Sequence, residues 1–215
     1  MSNILKVTKL DFSLVKPYLK VISFTMLLPI AFTAINRSIT TGVSFAMCFI
    51  AMTTGYPFSI TEKNSMERLL RILPIKKGEL VIGRYLFVLT LGILALTVSL
   101  VTHPIVLGVM GEAVRSEDLI EAAAGGLFLF TLYTVFQIPG YYKYGSIKGR
   151  VFMYIPAAGF IVTLFLLPKL PANHPMLTRI EESPVLVIAL LFVCVIFMYL
   201  VSIWVSIKIL KNKEM

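Results

Sequence analysis

His103 and His174 are the only histidines in this chain, and Cys48 and Cys194 the only cysteines. A zinc protease needs HExxH, because two imidazoles one helical turn apart reach one metal while the intervening Glu moves the proton. Neither histidine is followed by Glu. Each cysteine sits singly in an apolar stretch, without CxxC or a nearby His, as a small apolar filler does. A membrane protease of the glutamate type needs paired Glu facing His inside the bilayer, and Glu181-Glu182 falls in a segment expected beyond it. The run Gly145-Ser146-Ile147-Lys148-Gly149-Arg150 lacks the spacing and the Lys-Ser/Thr ending of a phosphate-cradling GxxxxGK[ST] loop. No catalytic constellation emerges, and the chain is expected not to be an enzyme.

What remains is chemistry of recognition. Glu62 to Lys77 is a charged insert in an otherwise oily sequence. On a helical wheel Met66, Leu69, Leu70 and Leu73 share one face, in the i, i+3, i+4, i+7 pattern of a half-buried helix. Glu62, Lys63, Glu67 and Arg71 take the rest, and Glu67 and Arg71 stand four apart with the acid first, the favourable order for a helical pair. Asn64 or Ser65 is placed to cap such a helix and Pro74 to end it. Two uses fit: a helix lying on the membrane with its leucines in lipid, or a docking helix shown to a soluble partner.

The elements around the insert are membrane spans. Of the residues 58% are hydrophobic and 14% charged, with mean hydropathy +0.89, whereas soluble domains carry about 25% charged residues. A helical span takes about 20 mainly apolar residues, since the backbone must satisfy its own hydrogen bonds in hydrocarbon. Six are expected, near Tyr18–Ile35, Ile39–Phe58, Ile82–Met110, Leu119–Pro139, Val151–Pro168 and Val185–Ile207, with kinks at Pro29, Pro104 and Pro156. Ahead of them the segment Ile4–Lys16 suits an interfacial helix, with apolar side chains toward lipid and Lys6, Lys9 and Lys16 toward headgroups. Pro17 ends it, and no cleavable signal peptide is evident.

Lys and Arg in short loops stay in the cytoplasm. With the N-terminus inside, 16 of the 20 basic residues fall on that side, and Arg37, Arg115, Lys169 and Arg179 remain outside among Glu112, Glu117, Asp118, Glu121, Glu181 and Glu182. Both termini and the insert are therefore expected to be cytoplasmic. The net charge of +9 then reflects topology and attraction to anionic lipid, and no nucleic-acid partner is expected.

Polar side chains inside spans are costly and turn toward protein or water. Thr53, Thr54, Tyr56, Thr131, Tyr133, Thr134 and Gln137 are the candidates for a transport path, although Thr and Tyr in spans also bond backbone or anchor interfaces. His103, beside Pro104 near the outer end of span three, reads as a headgroup-level residue more readily than as a proton carrier. Gly42 with Ala46, and Ala122 with Gly126, have the small-xxx-small spacing that permits close helix approach, a dimer seam being one use. The outer loop between Pro168 and Pro184 is stiffened by prolines and too short for an external domain.

Tyr56-Pro57-Phe58, Glu62, Met66-Glu67-Arg68-Leu69-Leu70, Leu73-Pro74-Ile75 and Val81-Ile82-Gly83-Arg84-Tyr85-Leu86 occur in that order. Together they resemble the signature between spans two and three of ABC-2-type transporter permeases, the membrane subunits of ATP-binding-cassette exporters. The chain is similar in particular to small six-span bacterial members that export phenol-soluble modulins or antimicrobial peptides, or confer resistance to them. The resemblance implies an all-α, ABC-2 (type V) exporter-like fold, with an N-terminal elbow helix over 1–17 and a permease domain over 18–215. It also implies a coupling helix at about 62–73 that enters a groove of a separate ATPase through Glu62, Lys63, Met66, Glu67, Arg68, Leu69, Leu70 and Arg71.

ATP and Mg would sit in that partner, with no cofactor on the chain itself. A second permease, a copy or a sister subunit, would complete a twelve-span unit in the bacterial cell membrane with peptide as cargo. A membrane immunity or sensor protein that binds peptide without moving it is the alternative.

Overall fold

The computed structural model describes residues 3–66, 70, 72, 74–159 and 184–213, with side chains at 184–186 excepted. Among the described residues every regular element is helical. Helix α1 (Asn3–Val15) leads through a 3-10 turn at Lys16–Tyr18 into α2 (Leu19–Thr25) and α3 (Leu27–Asn36). The chain returns through α4 (Ile39–Thr53) and α5 (Tyr56–Lys63), rises as α6 (Lys77–Val109) and descends as α7 (Ser116–Lys148). A 3-10 stretch at Gly149–Met153 follows α7, and α8 (Pro184–Asn212) closes the bundle.

Among the described residues five helical stretches are long and apolar enough to cross a bilayer: Asn3–Asn36, Ile39–Lys63, Lys77–Val109, Ser116–Gly159 and Val187–Asn212. In the first, the basic, amphipathic α1 precedes the more apolar α2 and α3. The expected span at Val151–Pro168 is described only to 159, where it is helical from 149 onward; its remainder and the outer loop lie outside the described residues. At 33 residues each, α6 and α7 run to about 50 Å, well beyond about 30 Å of hydrocarbon. Their ends therefore project past the apolar layer and can carry charged side chains.

Local sequence sets the helix ends. Glu79 accepts from the Lys76 N–H at 2.9 Å, and Asp118 from the Arg115 N–H at 3.0 Å, so a carboxylate satisfies an orphan donor at the start of each long helix. Ser38 caps α4 by accepting from the Thr41 N–H. The break between α2 and α3 at Met26 comes three residues before Pro29, whose missing N–H leaves the Thr25 carbonyl without its helical donor. Pro104, by contrast, is absorbed without a break in α6, where the His103 Nδ1–H donates to the Ser99 carbonyl at 2.7 Å. His103 is 1% exposed, and its Nε2 has no hydrogen-bond partner.

The core forms where α4 packs on α6 and α7, around Val43, Met47, Phe87, Val88, Leu91 and Phe130. The small residues serve this packing within one chain. A β-carbon on Gly126 would lie 2.9 Å from Val43 Cγ1, and one on Gly42 would overlap Thr33 and the His103 ring. Hydroxyls add a second kind of glue, because polar groups in hydrocarbon seek partners on neighbouring helices. Tyr85 of α6 shares hydrogen bonds with Ser202 at 2.5 Å and Ser206 at 2.9 Å, both on α8. Ser202 donates to the Val135 carbonyl of α7 at 2.8 Å.

Helix α1 is bound to the bundle as well as being amphipathic. Its buried face is Val7, Thr8, Asp11 and Val15, while Lys6, Lys9 and Lys16 are exposed. Thr8 Oγ1 donates to the Gly83 carbonyl at 3.0 Å, and a β-carbon on Gly83 would lie 2.7 Å from Val7 Cβ and 2.9 Å from the Ile4 carbonyl oxygen. Gly83→Ala is expected to lift α1 off α6 at a cost of about 1–3 kcal/mol. The check is a lower thermal midpoint in detergent together with faster proteolysis within residues 1–17; unchanged values for both would show that α1 is not seated on Gly83.

Candidate functional site

The ends of α5, α7 and α8, the start of α6 and all of α1 meet at one end of the bundle, called here the basic end. Lys77 Nζ donates to the carbonyls of Lys211 and Lys213, both at 3.4 Å, and Asn3 Nδ2 donates to Glu79 at 3.2 Å. At the opposite end Arg37 and Glu112 form an exposed pair at 3.1 Å.

The insert enters this end by a reversal at Ser65. Helix α5 runs on through Glu62 and Lys63, and Asn64 is its last cap residue, so these three finish span two instead of opening the insert helix. Ser65 takes the left-handed conformation (φ 51°), and the Met66 N–H turns back to the Thr61 carbonyl at 2.9 Å. The Leu70 N–H donates to the Met66 carbonyl at 3.0 Å. Met66 and Leu70 are half-buried, and Ile72 is exposed. Glu67, Arg68, Leu69 and Arg71 lie outside the described residues.

Glu62 makes the contact that ties the insert to the bundle. Its Oε2 accepts from the Ser146 N–H at 2.6 Å, across from the end of α7. That N–H is available because α7 breaks at Gly145, whose φ of 81° and ψ of 177° belong to a region open essentially to glycine alone. Helical geometry resumes after the break, and Glu62 supplies the negative partner for its first amide. One carboxylate therefore links the start of the insert to the turn that leads toward 149–159.

Behind it lies a buried polar knot. Asp11 and Arg84 are 1% and 6% exposed, and Arg84 Nε faces Asp11 Oδ2 at 3.7 Å. Arg84 Nη2 donates to Thr61 Oγ1 at 2.9 Å, and the guanidinium carbon sits 4.4 Å from the centre of the Phe58 ring and 5.8 Å from that of Tyr142. Burial pushes the Asp11 carboxyl up to about 6, against the opposing pull of the Arg84 charge. Neither Asp11 Oδ2 nor Arg84 Nε reaches hydrogen-bond geometry, and the Tyr142 hydroxyl has no partner. Between this knot and the insert lies a cavity of about 320 Å³, bordered by Phe58 and Glu62 of α5, Leu70 and Ile75 of the insert, Arg84 of α6 and Ser146 of α7.

The expected path residues fall in the bundle between α4, α5, α7 and α8. Thr54, Thr131, Thr134 and Gln137 are fully buried, and Thr53, Tyr56 and Tyr133 half-buried. Thr53 and Thr131 donate to carbonyls in their own helices, Ile50 at 2.7 Å and Leu127 at 2.8 Å. Thr54 Oγ1 meets Gln137 Oε1 at 3.1 Å, Thr134 meets the Tyr199 hydroxyl at 3.2 Å, and Tyr56 stacks on Tyr18 at 5.1 Å. Gln137 Nε2 is buried without a partner. Among the described residues no group of three or more His, Cys, Asp or Glu could hold a metal ion.

In the sequence Gly145 and Ser146 stand out only as a run that fails as a phosphate loop, Arg84 only as one basic residue and part of a motif, and Asp11 not at all. A lone acid among the lysines of α1 is the one signal that could have raised Asp11.

Five apolar helical stretches, with charge gathered where the long helices project, define a multi-pass membrane protein. The family described as ABC-2 family transporter protein matches residues 7–211, and the chain belongs to that family. No curated protein and no solved structure matches it. Members are generally non-catalytic permeases, and membership implies association with an ATPase subunit.

Proposed function

We propose that the chain is the permease subunit of an ABC exporter that moves an amphipathic or antimicrobial-type peptide out of the cell or its membrane, driven by a separate ATPase. The reading holds that the basic end faces the cytoplasm, that a sixth span completes the domain across 151–168, and that two permeases, identical or sister subunits, form the twelve-span unit. Helix α1 acts as the elbow, and the part of the insert after Ser65, to residue 73, as the coupling helix. The observation that carries it is the Glu62–Ser146 bond, because force applied to the insert reaches the adjoining end of α5 and passes from it to α7 through a charge-assisted contact. The ATPase groove must hold the insert differently in its open and closed states for any work to be transmitted. Thr53, Tyr56 and Tyr133, half-buried on the α4–α5 and α7 side, are the path residues best placed to meet cargo, with Thr54, Thr131, Thr134 and Gln137 behind them.

The test is co-purification with the ATPase, followed by ATP hydrolysis with and without an amphipathic helical peptide. Reversing the charges at Glu67 and Arg68 (E67R with R68E) is expected to abolish peptide-stimulated hydrolysis while leaving membrane insertion intact. Unchanged stimulation would remove the insert from the coupling role. A stable lone oligomer, with no ATP-dependent effect on peptide tolerance, would point instead to a peptide-binding immunity or sensor protein.

A further inference from the structure

The cavity at the basic end has a composition that the coupling role does not account for. We propose that it seats the phosphate of an anionic phospholipid headgroup, drawn from the leaflet that faces the basic end. Placing that leaflet on the cytoplasmic side rests on the function reading above; binding itself does not.

Three cations border the space, Lys77, Arg84 and Lys213, against one carboxylate, Glu62. With Asp11 paired to Arg84 behind the wall, three cations stand against two carboxylates, which leaves one positive charge in excess. One lining side chain that is more than nine-tenths buried keeps an unused donor. The Tyr142 hydroxyl, on a residue 5% exposed, has no acceptor for its proton, whereas Arg84 Nε is turned to Asp11 Oδ2 at 3.7 Å. Buried donors normally find acceptors, so a buried hydroxyl at a cavity that two lysines border calls for an oxygen-rich anion. The other walls include Phe58, Leu80 and Leu210, which suit the glycerol and first methylenes of a lipid better than a fully hydrated ion.

Volume and depth narrow the class. At about 320 Å³ the cavity takes a headgroup but not the acyl chains. It lies where α6 and α8 pass from apolar side chains to lysines, the level at which headgroup phosphates sit. Basic pockets between spans on the cytoplasmic side are general binders of anionic headgroups.

The purified full chain, without any ATPase, would be exposed to equal amounts of phosphatidylglycerol and phosphatidylcholine in mixed micelles and its retained lipid counted by native mass spectrometry. Phosphatidylglycerol should be retained about tenfold over phosphatidylcholine. Lys77→Gln with Lys213→Gln should bring the two lipids near parity, whereas Lys143→Gln with Lys208→Gln, an equal loss of charge on exposed residues outside the cavity, should preserve the preference. Tyr142→Phe should weaken it a few-fold, and decides the matter if the double lysine variant fails to fold. Equal retention by the unmodified chain, or equal loss in the control variant, would overturn the proposal. So would saturable binding of inorganic phosphate without any preference between lipids, which would make the ligand a free anion. Because the readout needs no ATPase, failure of the coupling assignment leaves it untouched. Labelling of Lys213→Cys in intact and permeabilised cells reports separately on which leaflet is involved.

Discussion

Gly145→Ala should lower the stability of the permease by about 1–3 kcal/mol and uncouple the insert from α7, an effect out of proportion to one methyl group. Two separate costs meet at this residue. The backbone stands at φ 81° and ψ 177°, where a β-carbon is strained whatever space surrounds it. The added carbon would also stand 3.0 Å from Glu62 Oε1 and 3.2 Å from Oε2, pressing on the carboxylate that holds Ser146. A second substitution separates them. Glu62→Ala in the Gly145→Ala background removes the close contact and leaves the backbone strain, so the double variant should recover only a minor part of the lost thermal midpoint.

Glu62→Ala alone should lower the midpoint less than Gly145→Ala, yet reduce peptide-stimulated ATP hydrolysis comparably, because the link is cut without distortion of the helix. Thermal unfolding followed by size-exclusion chromatography in detergent, alongside ATP hydrolysis with the partner subunit, reads both quantities. A Gly145→Ala protein that matches the original in both would show that the break in α7 is dispensable.

How much of this was legible in the sequence depends on the range of the interaction. Spans and helix starts are local, so hydropathy located α4, α6 and α8 closely, and Pro29 foretold the break at Met26. The break at Gly145 is also local, but Gly-Ser in a polar stretch carries no mark of its backbone angles, and the segment was weighed only as a phosphate loop. Asp11 and Arg84 stand on different helices far apart in sequence, and nothing in either helix's own pattern names the other. The threonines were unreadable for another reason. A Thr hydroxyl inside a helix can always bond a carbonyl three or four residues back, as Thr53 and Thr131 do, so its presence says little about a path. The insert was visible by charge and leucine spacing, but its attachment through Glu62 required knowing that span two continues as far as Lys63.

Arg84→Met should prove more damaging than Asp11→Asn, with a loss of about 3–5 kcal/mol, the range for breaking a buried pair by removing one member. Methionine keeps an aliphatic stem but removes the guanidinium from the Phe58 ring, strips Asp11 of its counter-charge and Thr61 of its donor. The pH dependence gives the variant a signature. In the folded chain Asp11 takes up its proton near 6, above its ordinary 3.8. A raised carboxyl contributes stability that is full below the unfolded value and is lost as pH rises through the folded one. In Arg84→Met the lowering effect of the guanidinium is gone, so the carboxyl rises further and the loss extends to higher pH. The gap in thermal midpoint between the original protein and Arg84→Met should therefore be widest at pH 7–8 and narrow toward pH 4, where Asp11 is neutral in both. Asp11→Asn should flatten this part of the pH profile. A gap independent of pH would mean that Arg84 acts through its contacts with Thr61 and Phe58, and that its pairing with Asp11 contributes nothing to holding α1 against the bundle.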